Sequence, residues 1–282
     1  MPISYPDILE LKSQGQRFRW TERDTMLYAL GVGMGADPMD ERELPFVYEN
    51  GLKALPTQAT VAAWGAGPPI GGMINFLMVV HGEQAVTLHR PFPTEAEITA
   101  DGRVIGAYDK GAGKGAVIVT ETTLTLASGE KLATLVSSTF ARGDGGFGGP
   151  SEGAPEPHPT PTRAPDLSVD LPTRPDQALI YRLSGDRNPL HSDPQVAKMA
   201  GFPRPILHGL CTYGLTGRAV LQTYADYDPA AIKHHQARFS SPVFPGETVT
   251  VDLWRDGDDV SFEAKVKARG VTVIRNGLSR LG

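Results

Sequence analysis

The chain repeats itself once, and that repeat limits its fold more than any single motif does. Thr21-Glu22-Arg23-Asp24 leads into Leu27-Tyr28-Ala29-Leu30-Gly31, and Thr173-Arg174-Pro175-Asp176 leads into Ile180-Tyr181-Arg182-Leu183-Ser184. Further along, RPFPTEAEIT (Arg90 to Thr99) resembles SPVFPGETVT (Ser241 to Thr250), and each Pro-rich turn opens a strand-like stretch. The first copy continues as GAVIVTETTLTLASGEKLATLVSSTF with a turn at Ser128-Gly129-Glu130, the second as DVSFEAKVKARGVTVIRNGLSR with a turn near Arg269-Gly270. Both read as hairpins of a twisted antiparallel sheet. Each copy also holds a segment able to form a helix. The clearer one is Ile206 to Tyr224, where Leu207, Leu210, Leu215 and Val220 suit a helix buried against a sheet. Its glycines count against it, at about 1 kcal/mol each relative to alanine. The expected layout is α+β: an antiparallel sheet wrapped around one central helix, made twice.

The copies are separated by RGDGGFGGPSEGAPEPHPTPTRAPDLSVDLPTRP, from Arg142 to Pro175. Neither its glycines nor its prolines suit a helix or a central strand, so a flexible part followed by an extended part is expected. The division is then 1–150 for the first unit, 151–172 for a linker and 173–282 for the second unit. A net charge of −5 over 282 residues argues against nonspecific nucleic-acid binding. Cys211 is the only cysteine, which excludes an intrachain disulfide and fits a reducing compartment. The opening residues lack a signal-peptide core, and the apolar stretch from Ile70 to Val80 is too short to span a bilayer and contains Asn75. The last residues, Ser279-Arg280-Leu281-Gly282, are not the Ser-Lys-Leu peroxisomal address. A cytoplasmic chain without membrane or nucleic-acid partners is expected.

The chemistry concentrates in Tyr181-Arg182-Leu183-Ser184-Gly185-Asp186-Arg187-Asn188-Pro189-Leu190-His191. Gly185-Asp186 and Asn188-Pro189 are turn residues, so the helix before them stops here. A turn at Pro189 can fold Asp186 and His191 toward one point. A carboxylate and an imidazole aimed at one water can move two protons, the minimum for adding water across a double bond. On spacing alone, the commoner reading of such a pair is a surface loop with a helix cap.

The longer string YRLSGDRNPLHSDPQVAKMAGFPRPILHGLCTYG resembles the signature of the hydratase 2 family, within the MaoC-like hydratases and dehydratases. The match includes Ser184, Gly185, Asp186, Asn188, Pro189, Leu190 and His191, then His208-Gly209. ERDTMLYALGVG, LPFVYENGLKALPT, the HGEQ string with LHRPFP after it, and GGFGG are similar to the hydratase 2 portion of peroxisomal multifunctional enzymes. The resemblance implies a double hot-dog fold in which only the second copy keeps the catalytic loop. In agreement, Leu30-Gly31-Val32-Gly33 stands where the second copy has Leu183-Ser184-Gly185-Asp186. It also implies an (R)-specific 2-enoyl-CoA hydratase that gives (3R)-hydroxyacyl-CoA. His191 and Asp186 would share the proton transfers, Asn188 would orient the water or His191, and the Gly209 N–H would meet the enolate oxygen. His208 would lie at the substrate. From the first copy, His81, Gly82, Glu83 and Gln84 would support the active site and the acyl or CoA channel, although Glu83 equally reads as holding a turn. Glu49 is a weaker supporting candidate, with a structural role the commoner reading. The family further implies a homodimer and no cofactor, coenzyme A being part of the substrate.

Other readings fit less well. Gly31-Val32-Gly33-Met34-Gly35-Ala36 loosely matches a dinucleotide fingerprint but follows a helix pattern, not a strand. Lys110-Gly111-Ala112-Gly113-Lys114-Gly115 lacks the phosphate-loop spacing and reads as a hairpin tip. His208, Cys211, His191 and Asp193 match no zinc spacing, so no metal is expected. Cys211 reads as a small core residue, and His234-His235 as part of a solvated loop. The alternatives to a hydratase are a dehydratase of acyl-carrier-protein thioesters, a thioesterase, or a non-catalytic acyl-CoA-binding protein.

Overall fold

A computed structural model describes residues 2–75 and 78–282. Phe76 and Leu77, inside the apolar stretch from Ile70 to Val80, lie outside the described residues. The first half supplies β1 (Lys12–Trp20), β2 (Val79–Leu88), β3 (Ala96–Asp109), β4 (Ala116–Leu126) and β5 (Lys131–Ala141). The second supplies β6 (Leu167–Pro172), β7 (Ile232–Phe239), β8 (Thr248–Asp256), β9 (Asp259–Val266) and β10 (Val271–Leu281). They form one antiparallel sheet in the order β1-β3-β4-β5-β2-β7-β10-β9-β8-β6. Read outward from the β2–β7 junction, every strand of one half has its counterpart at the same distance in the other. The two Pro-rich turns enter β3 and β8, and the two hairpins are β4–β5 and β9–β10, so the sequence repeat is a repeat of this topology.

The halves differ in what the sheet wraps. The second holds the long helix α6 (Gly209–Tyr224), with twelve of its sixteen residues buried. Among the described residues the first half has no counterpart of that length, which corrects the expectation of a central helix in each copy. Between α1 (Glu22–Gly31) and β2 the described residues form four-residue helices, α2 (Leu44–Val47) and α3 (Ala59–Ala62), and short 3₁₀ turns. Pro38, Pro45, Pro56, Pro68 and Pro69, with glycines among them, leave no uninterrupted run for a longer helix. These irregular segments press on α6 instead. A Cβ on Gly214 would meet Val32 at 2.6 Å, and one on Gly217 would meet Thr57 at 2.8 Å. The helix glycines therefore sit where another chain segment needs the space of a side chain. Arg218, on the same helix, is buried against Glu43 of the first half (2.6 Å), whose other oxygen accepts from the Gly35 N–H (2.8 Å).

The strands next to the junction carry buried polar groups. His235 lies inside β7 and is fully buried, which corrects its expected place in a solvated loop. Its ring meets the hydroxyls of Ser279 (2.5 Å) and Thr216 (3.0 Å), and its carbonyl accepts from Tyr213 Oη (2.6 Å).

The connector is tied down along its length. Gly146 and Gly148 N–H donate to the Asp109 carboxylate at 2.7 and 2.8 Å, so the glycine run closes around one side chain. The proline part crosses the second half, where His158 meets Ser261 Oγ at 2.8 Å and the Arg163 carbonyl accepts from Trp254 Nε1 at 2.8 Å. Residues 167–172, expected in the linker, form β6 and pair with β8. Pro172 fits there because it closes an edge strand.

Candidate active site

Asp186 and His191 sit in the loop between α4 (Gln177–Tyr181) and α5 (Pro194–Met199). Gly185, at φ +144°, turns the chain out of the preceding 3₁₀ turn, and a Cβ there would meet Trp64 of the first half at 2.9 Å. Asn188 then fixes the bend in both directions: its N–H donates to Asp186 Oδ1 (3.0 Å) and its Oδ1 accepts from the Leu190 N–H (3.0 Å). The 3₁₀ turn Pro189–His191 brings the imidazole back, leaving His191 Nε2 3.9 Å from Asp186 Oδ2. The side chains are 9% and 23% exposed, so His191 is enclosed and Asp186 borders the opening.

The tautomer of His191 follows from its partner. Nδ1 lies 2.9 Å from the Ile206 carbonyl, which can only accept, so Nδ1 carries the proton and Nε2 presents a lone pair toward Asp186. Burial keeps the ring below the ordinary imidazole pKa, and the Asp186 charge opposes that shift. His191 is therefore a neutral base at neutral pH.

His208 and Gly209 arrive on the following segment. Gly209 is the first residue of α6, so its N–H has no intrahelical partner and lies at the positive end of the helix dipole. A Cβ at Gly209 would meet the Phe239 ring at 3.3 Å. His208 is 1% exposed and stacks on His191, ring centroids 3.7 Å apart, with Nε2 donating to the Asp186 carbonyl at 3.0 Å. It offers no surface to a substrate, which corrects its expected place at the substrate. Burial, and the His191 ring against it, hold its pKa down to about 3.

The HGEQ residues of β2 part company. His81 faces the site side, with its ring centroid 4.7 Å from that of Phe239 and Nε2 2.8 Å from Ser137 Oγ. Burial lowers its pKa to about 4. Gly82 makes the register shift between His81 and Glu83, and a Cβ there would meet Ser138 Oγ at 2.7 Å. Glu83 lies opposite Arg238 in the ladder, on the face away from His235 and α6. There it lines a cleft with Ser138, Gln236, Arg238 and the connector residues Pro157 and His158. It does not reach the Asp186–His191 pair. Gln84 is buried, its amide donating to the Ala85 carbonyl at 3.0 Å. Glu49 is exposed in the loop after α2. The buried acid of that region is Glu43.

Asp186, His191 and His208 offer possible ligand atoms within 4.8 Å of one another. One ring nitrogen of each histidine donates to a carbonyl, which leaves the other, His191 Nε2 and His208 Nδ1, without a proton. Cys211 is buried beside the Gly31 carbonyl (3.3 Å), and burial pushes its thiol pKa up, as suits a core residue.

A second cleft opens between the halves. It is lined by Trp20, Tyr28, Gln58 and Val61 of the first and Leu183 and Ser184 of the second, the last two just before the turn that carries Asp186 and His191. Trp64 and Phe239 were not identified from the sequence, because nothing in their neighbourhoods links them to residues more than a hundred or about thirty positions away.

Comparison with known proteins covers both halves of the chain. Residues 157–277 match the MaoC-like domain, and residues 18–143 match the hydratase 2 N-terminal domain of multifunctional enzyme type 2. An enoyl-CoA hydratase of Mycobacterium tuberculosis is 43% identical over 99% of this chain and 98% of its own length. The chain belongs to the hydratase 2 family of MaoC-like proteins. A peroxisomal enoyl-CoA hydratase 2 of Arabidopsis thaliana is 40% identical, covering 95% of this chain and 92% of that protein. The crystal structure of a MaoC-like dehydratase from Phytophthora capsici superposes with a TM-score of 0.89 at 35% identity, over 99% of each chain. For this hydratase 2 family member, the expected double hot-dog is the fold observed, with the long helix kept in one copy.

Proposed function

We propose that the chain is an (R)-specific 2-enoyl-CoA hydratase, adding water reversibly to trans-2-enoyl-CoA to give (3R)-hydroxyacyl-CoA. The observation that carries this reading is the His191 Nε2 lone pair facing Asp186 Oδ2 across 3.9 Å, beside the free helix N–H of Gly209. That distance is too long for a direct hydrogen bond and suits a shared water. As the water oxygen bonds to C3, one of its protons leaves to the pair. The C2–C3 π electrons move to the thioester, and the charge on its oxygen is met by the Gly209 N–H. C2 then takes a proton from the pair, which is restored. The net change is one water added. Asp186 and His191 carry both transfers between them.

The water approaches from the loop side only, and a thioester pinned at Gly209 then exposes one face, which gives one enantiomer. The first half contributes room. The tail of a medium or long acyl group would lie along Trp20, Tyr28 and Val61 in the cleft between the halves, whose lining also includes the polar Arg19, Asp24 and Gln58. Each methylene buried there is worth at most about 0.8 kcal/mol, so KM falls as the chain lengthens. The protein works on this reading without metal or added cofactor, as a cytoplasmic homodimer, the dimer being checked by light scattering. The deciding experiment follows loss of enoyl-thioester absorbance over a panel of chain lengths, with chiral analysis of the product. R-hydroxyacyl-CoA at every length is the expected result. An S product, or no hydration of any enoyl-CoA, sinks the assignment.

A further inference from the structure

We propose that His208 is a positioning residue that locks the catalytic loop in its working geometry through a reciprocal clasp with His191. Two segments far apart in sequence face each other here, the turn 186–191 and the approach to α6 at 206–208. Each sends an imidazole across to the other's main chain. His191 Nδ1–H donates to the Ile206 carbonyl at 2.9 Å, and His208 Nε2–H donates to the Asp186 carbonyl at 3.0 Å. The two rings stack on each other in crossing, 3.7 Å between centroids and 26° between planes. The Ile206 N–H adds a third link to the Leu190 carbonyl at 3.4 Å.

Several features set His208 apart from a residue kept for stability. It occupies the position that begins α6, where Ser, Thr, Asp or Asn would cap the helix, and its side chain caps nothing. It is turned to Asp186 instead. Among the described residues, no other hydrogen bond reaches the Asp186 main chain. Its second nitrogen, Nδ1, is buried without a partner, an unfavourable arrangement by itself. The ring is also confined from the far side by Tyr181, 5.0 Å between centroids. The clasp therefore fixes Asp186 from behind while leaving its Oδ2, and His191 Nε2, to the front, Oδ1 being held by the Asn188 N–H. Because only one nitrogen donates and the other lies buried, the clasp needs His208 in its neutral, Nε2-protonated form.

The inference rests on the hydratase reading for its kinetic arm and on the fold alone for its structural arm. A glutamine amide nitrogen reaches about as far as an imidazole Nε2, and an asparagine amide nitrogen only as far as Nδ1. His208→Gln keeps the donor to Asp186, and His208→Asn loses it. Hydration kinetics and hydrogen–deuterium exchange of the 184–192 peptide are measured on both variants and on the wild type. The expected result for His208→Asn is a fall in kcat of about 10²-fold, the scale of a misplaced catalytic group, with KM within about threefold and faster exchange in the 184–192 peptide. His208→Gln should recover most of the kcat and the protection. Should asparagine at this buried site fail to fold, His208→Phe, which keeps a ring and no donor, takes its place with the same expected losses. The inference is overturned if the donor-less variant keeps wild-type kcat and exchange, if its loss appears in KM alone, or if glutamine does no better than asparagine. A wild type that hydrates no enoyl-CoA refutes the hydratase reading, and the exchange arm then decides the clasp alone.

Discussion

The protonation state of His191 is set by one hydrogen bond and by burial. The Ile206 carbonyl holds the proton on Nδ1, and burial keeps the ring neutral. Asp186 is made its partner by a turn in which Asn188 closes the bend from both sides. Removing either proton carrier while keeping its shape, with Asp186→Asn or His191→Gln, should lower kcat by about 10²–10⁴-fold each. The melting temperature should hardly move, and steady-state hydration and thermal melts check both statements. A variant with near-wild-type turnover would remove that residue from the chemistry. The direction of the His191 shift adds a pH expectation. A base must be unprotonated to act, and a pKa below 6.5 keeps it so into mildly acidic solution. The acid limb of kcat/KM should therefore lie below pH 6.5, and a limb at or above that value contradicts the assignment.

At the scale of elements, α6 is where the halves are joined, and most of what joins them was hidden in the sequence. The strands and hairpins were legible because alternation and β-branched runs are local signals, as in GAVIVTETTLTL for β4. The turn that brings Asp186 and His191 together was legible because its parts lie within six residues of one another. What escaped were pairings across the chain. The α6 glycines looked like weaknesses because Val32 and Thr57, which fill their space, are far away in sequence. His235 read as a loop residue because Ser279 and Thr216, which satisfy it, could not be placed beside it. Glu49 drew attention while Glu43, paired with Arg218, did not. That ion pair supplies a test. Its side chains are only 4% and 10% exposed, so removing one partner strands a buried charge. Glu43→Met or Arg218→Met alone should cost about 3–5 kcal/mol. The double substitution should be less destabilised than the sum of the two, read from denaturant unfolding as a double-mutant cycle. Strict additivity would mean that the pair does not couple the first half to α6.

Over the whole molecule, four imidazoles lie near where the halves meet. His81 lies on β2 and His235 on β7, the two strands that join the sheets, while His191 and His208 lie beside α6. Burial depresses the pKa of all four, to about 4 for His81 and about 3 for His208 and His235, and downward for His191. In the unfolded chain each returns to about 6.5. Between these values the unfolded state binds protons that the folded state refuses, so stability is complete above about pH 6.5 and is lost as the pH falls toward the folded pKa values. Each group contributes up to about 1.4 kcal/mol per pH unit within that window. Carboxylates held low by partners, such as Asp170 beside Thr250 and Asp259 beside Arg280, begin to add to the loss only nearer their ordinary range, about pH 4. Between pH 6.5 and 5 the imidazoles should therefore set the slope. Urea unfolding at pH 7, 6 and 5 should show stability falling steeply across this interval. His235→Gln, which keeps a hydrogen-bonding group but cannot protonate, should flatten the slope measurably, the rest being left to the other histidines that burial depresses, His89, His158 and His234 among them. A stability that stays level from pH 6.5 to 5 would mean that these rings are solvated, and that the halves are not sealed together along β2 and β7.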